Sequence, residues 1–179
     1  MFNRSTWMIL AVAVLAAALG GWLQHRSRLA HVPAGTHVAT IGEQAPDLML
    51  LDLAGQPHRL SEYRGRRVLI NFWASWCGPC LDEMPALDRT AREHPDIVVL
   101  GIAMDEAART RAFLQAHPVS YPVWLGTLAQ PSTSLRLGDT GEVLPYSVLL
   151  STDGRVQDTR RGPLDADTLQ RWLADGGLH

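Results

Sequence analysis

Apolar residues run almost unbroken through Val68, Leu69, Ile70 and Phe72, and again through Ile97–Met104, where the chain reads IVVLGIAM. Runs of this length and continuity predict strands buried on both faces, as in the centre of a parallel sheet. The first strand is expected over Arg67–Trp73 and the second over Ile97–Met104. Between them Leu81–Arg92 has helical character, with Pro85 inside it; a proline there removes one backbone bond and predicts a kink. Glu106–His117 predicts a second helix, ended by Pro118, and Tyr121–Leu125 a further short strand. Strand–helix–strand alternation implies right-handed parallel crossovers. Before this block, Asp47–Leu53 and Gln56–Leu60 predict a hairpin turning at Ala54-Gly55, and Ser61–Gly65 a turn or short helical piece. After it come a short helix over Ser132–Leu137 and a strand over Tyr146–Ser151. A turn at Thr152-Asp153-Gly154 leads to an antiparallel edge strand over Arg155–Arg161. The last helix spans Asp165–Ala174, capped by Asp165 and stopped by Gly176-Gly177.

The N-terminal pattern is different. Residues 1–6 are a polar tail containing Arg4. Residues 7–23, WMILAVAVLAAALGGWL, are uncharged and apolar; as a helix they span about 25 Å, the short end for a bilayer crossing. Trp7 and Trp22 at its two ends resemble the aromatic belts of a spanning helix, so the run is read as a membrane anchor. A cleavable signal ending at Ala16-Ala17-Ala18 is the alternative. Arg4 on one side and Arg26 and Arg28 on the other do not orient it. Residues 24–41 form a linker without sustained periodicity, and the folded domain is expected over 42–179. His25, His31 and His37 lie in the linker, where spacing defines no metal geometry, and are read as solvated.

With 46% hydrophobic residues the chain can bury an ordinary core, and a net charge of -2 argues against a nucleic-acid surface. All 16 basic residues are arginine. Only two cysteines occur, so there is no disulfide framework.

Those two cysteines, Cys77 and Cys80, stand between the first central strand and the helix that follows it. The first turn of a helix directs unpaired N–H groups and a partial positive charge outward. A thiolate held there is stabilised, below the roughly 8.5 of a free cysteine. Cys77 is expected to be exposed and nucleophilic. Cys80, about one turn on, is expected to face inward and to resolve the mixed disulfide. A structural zinc site needs four ligands, and there is no second Cys-x-x-Cys and no histidine pair at finger spacing. A purely structural bridge across so short a loop would add little stability.

Trp-Cys-Gly-Pro-Cys is the thioredoxin active-site motif. The longer stretch Asn71-Phe72-Trp73-Ala74-Ser75-Trp76-Cys77-Gly78-Pro79-Cys80, followed by Glu83-Met84-Pro85, resembles the extracytoplasmic, membrane-anchored thioredoxin-like reductases of the TlpA/ResA group, over roughly residues 42–175. The resemblance implies an α/β thioredoxin-like fold with an N-terminal hairpin and a central helix–strand insertion, behind one N-terminal transmembrane segment. It implies that Pro145 is a cis-proline opposite the dithiol, offering the Leu144 backbone to a substrate strand, with Trp76, Gly78 and Pro79 completing the substrate surface. Here Val143-Leu144-Pro145-Tyr146-Ser147 replaces the common Gly-x-Pro-Thr-Thr-Phe, which leaves the proline role intact and the substrate open. The Gly-Val-x-Gly-x-Pro-Glu stretch of the cytochrome c maturation subgroup is absent. Thioredoxin has a buried aspartate where this chain has Asn71. Glu83 matches the glutamate of Cys-x-x-Cys-x-x-Glu in ResA-like reductases and lies on the Cys80 side of the helix; it is expected to be a partly buried proton relay. Asp82 and Asp88 are read as solvated.

The implied activity is reduction of disulfides in extracytoplasmic proteins, cytochrome c maturation substrates among them, without a cofactor. The Gly-Pro dipeptide favours a reducing poise, as in thioredoxin at about -270 mV against about -120 mV for a strong oxidant of the DsbA type. An electron donor of the DsbD type is implied, with the domain on the periplasmic side of the inner membrane, or soluble there if the leader is cleaved. Two rival readings are a thiol peroxidase, whose Pro-x-x-x-Thr-x-x-Cys pattern does not precede Cys77, and a metal chaperone in which His94 or His117 joins the cysteines.

Overall fold

The computed structural model describes residues 10, 12–21 and 32–175. The chain divides into two units, Met1–Ala34 and Gly35–His179. In the first, residues 12–21 form a helix, α1, whose Val12, Val14, Leu15 and Leu19 are exposed. Among the described residues no helix is long and apolar enough to cross a membrane. The rest of the 7–23 run lies outside the described residues, as do His25, His31 and Gly176-Gly177.

The second unit is built on a seven-stranded sheet in the order β2-β1-β5-β4-β3-β6-β7. Its strands are β1 (Met49–Asp52), β2 (Pro57–Arg59), β3 (Arg67–Trp73), β4 (Ile97–Ala103), β5 (Val123–Leu125), β6 (Tyr146–Leu150) and β7 (Val156–Arg161). The helices are α2 (Gly78–Glu93), α3 (Ala107–Ala116), α4 (Thr133–Arg136) and α5 (Ala166–Asp175), with a single 3-10 turn at Leu60–Tyr63. β3, β4 and β5 run parallel, with Arg67 opposite Ile97 and Trp73 opposite Ala103. The hairpins β1–β2 and β6–β7 flank them antiparallel. α3 and β5 occupy the place of the helix–strand insertion that the resemblance implies.

The two continuous apolar runs are the two central strands, and alternation within them divides the core. Val68, Ile70 and Phe72 face one side with Val98, Leu100, Ile102 and Tyr146, under the 3-10 turn and Leu137. Leu69 and Trp73 face the other with Val99, Leu149, both cysteines, Met84 and Leu87 of α2 and Leu169 and Trp172 of α5. That second face carries the dithiol.

Element ends differ from the sequence reading where backbone chemistry intervenes. β5 starts at Val123, not Tyr121, because Pro122 has no N–H for a ladder; its carbonyl instead accepts from Gly101 N at 3.0 Å. Packing begins ahead of Gly42: Ala39 is buried and its N–H donates to the Arg136 carbonyl at 3.1 Å. Gly55 turns the first hairpin at φ +82°, a conformation that favours glycine. Asp165 caps α5, its Oδ1 accepting from Thr168 N at 2.7 Å. The Leu144–Pro145 bond is cis. So is Gln130–Pro131, which nothing in the sequence signalled.

Candidate active site

β3 ends at Trp73, and the chain turns through Ala74–Trp76 into α2. Cys77 is the N-cap of α2, at φ -92° and ψ 98°, with Pro79 in its first turn. A proline is tolerated there because its missing N–H has no intrahelical partner to lose. Cys77 and Cys80 form a disulfide with their Cα atoms 5.3 Å apart. The expectation that Cys77 is exposed needs correction for this oxidised form: Cys77 is 5% and Cys80 1% exposed. The order is as expected, but the bond draws both sulfurs against the Trp73–Met84 cluster. What is exposed is Trp76, at 66%, beside exposed Gly78 and Pro79. A Cβ on Gly78 would meet nothing within 4 Å, so this rim is open and flat.

The turn before the dithiol is held by Asp105, just past the end of β4. Its Oδ2 accepts from Ser75 N at 3.3 Å and from the Ser75 hydroxyl, and its Oδ1 from Glu106 N at 2.8 Å. Partial burial pushes this carboxyl up, but the donors outweigh it and hold Asp105 below the ordinary aspartate range. Sequence reasoning missed Asp105. β3 and β4 run parallel and in step, so the residues after Trp73 and after Ala103 meet at the same end of the sheet, a register the sequence does not show.

Pro145 is buried and opens β6, whose pairing of Tyr146 with Phe72 leads back to the end of β3. Leu144 packs on both core clusters, including the one that holds Cys77 and Cys80.

One turn beyond Cys80, Glu83 is 4% exposed, more completely enclosed than the sequence suggested. Its Oε1 accepts from Asn71 Nδ2 at 2.7 Å, and its Oε2 from the Leu164 N–H at 2.7 Å. Asn71 Nδ2 also lies 3.0 Å from Ser147 Oγ. Burial pushes the Glu83 carboxyl above its ordinary value, while the Leu164 and Asn71 donors restrain the rise. Tyr121, next to this region, is neutral at working pH. Its hydroxyl is pushed up by burial first and then by the charges of Asp88 and Glu83.

The other sequence candidates separate cleanly. Asp82 is exposed. Asp88 is not merely solvated: its Oδ1 accepts from Ser120 N at 2.6 Å and Ser120 Oγ at 2.7 Å, pinning α2 to the loop after α3. Trp73 is core, with its ring 5.2 Å from that of Phe113. His94 caps the far end of α2, about 24 Å along a 16-residue helix from Cys77. His117 caps α3 and stacks on Phe113 at 4.5 Å. Among the described residues no group of three or more His, Cys, Asp or Glu side chains is placed to hold a metal ion.

Residues 41–159 match the AhpC/TSA family. The chain is 28% identical over 137 residues to the thioredoxin-like protein YneN of Bacillus subtilis, covering 74% of this chain and 78% of that one. It is 29% identical over 136 residues to the thiol-disulfide oxidoreductase ResA of Geobacillus kaustophilus, covering 74% and 76%. Among solved structures, a Chlorobium tepidum protein assigned as thiol:disulfide interchange protein DsbE superposes with a TM-score of 0.67 at 27% identity, over 76% of this chain and 97% of that one. Together with a dithiol at the N-terminus of a helix, these relatives make the chain a member of the AhpC/TSA family, on its thioredoxin-like, ResA-type branch of thiol–disulfide oxidoreductases.

Proposed function

We propose that the chain reduces disulfides in proteins outside the cytoplasm, those of cytochrome c maturation included, from a membrane tether. The observation that carries the reading is the Cys77–Cys80 pair at the N-terminus of α2, beside the exposed Trp76. In the reduced protein the Cys77 thiolate attacks one sulfur of a substrate disulfide. The substrate's other sulfur leaves as a thiolate and takes up a proton. Cys80, losing its proton, then attacks the Cys77 sulfur, releases the second substrate thiol and closes the Cys77–Cys80 disulfide. Two electrons pass to the substrate, and an electron donor of the DsbD type returns them to the pair.

Glu83 is the group that holds the Cys80 proton. It is buried one turn on in the same helix, its carboxyl is raised toward working pH by that burial, and a proton acceptor serves best when its pKa lies near the operating pH. Trp76, Gly78 and Pro79 form the open rim on which substrate rests, with the Leu144 and Pro145 backbone as its second wall.

Trapping tests the reading. In cells, Cys80→Ala leaves the mixed disulfide unresolved, so extracytoplasmic proteins accumulate bound to Cys77 and are identified by mass spectrometry. An empty trap, or brisk consumption of hydrogen peroxide by the wild-type protein, would sink it in favour of peroxidase chemistry.

The tether rests on the uncharged run 7–23 and the exposed apolar side chains of α1. Full-length protein is expected in the membrane fraction and resistant to carbonate extraction, with its domain facing the periplasm. A soluble form beginning near Leu19 would identify the run as a cleaved signal instead.

A further inference from the structure

We propose that Asn71 is a positioning residue that turns its side-chain amide over as Glu83 gains or loses a proton, pairing with both forms of the carboxyl. The inference rests on the reading of Glu83 as the proton-holding group. Asn71 is fully buried on β3, directly opposite Ser147 of β6. In the form described, Nδ2 reaches both Glu83 Oε1 and Ser147 Oγ, while Asn71 Oδ1 is buried without a partner. An ionised Glu83 requires this orientation, since both its oxygens only accept. Once Oε1 carries a proton it is a donor and would face the Nδ2 donor. Turning the amide presents Oδ1, which accepts the Glu83 O–H and a hydrogen bond from the Ser147 hydroxyl. Ser147 can follow because a hydroxyl both donates and accepts.

The Leu164 N–H stays on Oε2 in both states, so the carboxyl is held in place while its charge changes. Each orientation leaves one amide group unpaired, Oδ1 in one and Nδ2 in the other. The two are therefore closely matched, and neither locks the residue. Aspartate at this position would offer no donor when ionised, and an apolar side chain would offer nothing to either form.

The groups around Glu83 leave the assignment clear. α2 brings Cys77, Cys80 and Asp88. β3 and β6 bring only the neutral Asn71 and Ser147, the segment before α5 brings the Leu164 backbone, and the loop after α3 brings Tyr121. Its two hydrogen-bond donors, the Asn71 amide and the Leu164 N–H, are both uncharged.

In full-length oxidised protein, where the cysteines do not titrate, NMR of the Asn71 Nδ2H2 group and the Glu83 carboxyl carbon reads the coupling. Both are expected to change with one midpoint. In Glu83→Gln the Asn71 signals should be independent of pH and match the low-pH wild type, because Oδ1 now faces the glutamine amide. Asn71→Leu should raise the Glu83 midpoint by roughly one unit, because a hydrogen bond to a charged form is worth more than one to a neutral form. Asn71→Asp should raise it further, by like-charge repulsion. Asn71 signals that stay fixed while Glu83 titrates overturn the inference. So does a midpoint unchanged in both Asn71 variants. The relay reading fails separately: a pH profile of disulfide reduction in Glu83→Gln that matches wild type removes Glu83 as the proton holder, whatever Asn71 does.

Discussion

Cys77→Ser lowers protein-disulfide reduction by on the order of a thousandfold or more, to the background of the uncatalysed reaction, as removal of a nucleophile does. The cause is chemical rather than structural. A serine hydroxyl fits the N-cap position at least as well as a thiol, so the variant folds. What it loses is a thiolate at the helix N-terminus. Cys80 cannot substitute, because it lies inside the first turn of α2, the more deeply buried of the two at 1% against 5% for the N-cap Cys77. The same asymmetry sets alkylation order. After reduction and brief iodoacetamide treatment at low pH, peptide mapping should find Cys77 modified and Cys80 protected. Preferential modification of Cys80, or a Cys77→Ser protein that keeps its turnover, would reverse the roles of the two sulfurs.

Trp172→Ala has the largest expected effect on stability. Trp172 is 1% exposed and seats α5 on the dithiol-bearing face of the sheet. Its Nε1 donates to Asp158 Oδ2 of β7 at 2.8 Å, and its carbonyl accepts from the Arg67 guanidinium at the start of β3. Truncating a buried tryptophan costs about 3–5 kcal/mol. The loss also leaves Asp158 Oδ2 without its donor, although Oδ1 still accepts from Thr159 N at 2.7 Å. A domain of this size is stable by about 5–15 kcal/mol, so the variant is left marginal. Trp172→Phe keeps most of the volume and loses only the N–H, at about 1–2 kcal/mol. Urea unfolding of oxidised wild type and both variants checks the ordering. Equal midpoints for Trp172→Ala and wild type would show that α5 is not seated through this residue.

The central strands and the dithiol were legible in the sequence for the same reason. β3 and β4 are buried on both faces, and that burial leaves a continuous apolar signature at Val68–Phe72 and Ile97–Met104. Cys77 and Cys80 were legible because their chemistry depends on neighbours within one helical turn. Glu83 was half legible. Its position three residues after Cys80 placed it on the right side of α2, but spacing along one helix does not reveal that Leu164, 81 residues later, closes over it.

Asp105 and Asp88 were harder to read for a matching reason. Asp105 acts on Ser75, 30 residues earlier, and Asp88 on Ser120, 32 residues later. The first contact exists because β3 and β4 run parallel and bring the segments after them together, the second because α2 packs beside the segment that leads into β5. The packing ahead of Gly42 was hidden likewise: Ala39 is held by a carbonyl of α4, far along the chain.

The sequence by itself determined the strands, the helix order and the Cys77–Cys80 pair, since each follows from periodicity or from groups adjacent along the chain. Only the tertiary structure decided the surroundings of the Glu83 carboxyl. It is the sheet register that sets Asn71 opposite Ser147, and the return of the chain at Leu164 that encloses the group. Its hydrogen bonds come from two other segments, Asn71 of β3 and the Leu164 backbone, and the stretch of sequence around Glu83 contains neither.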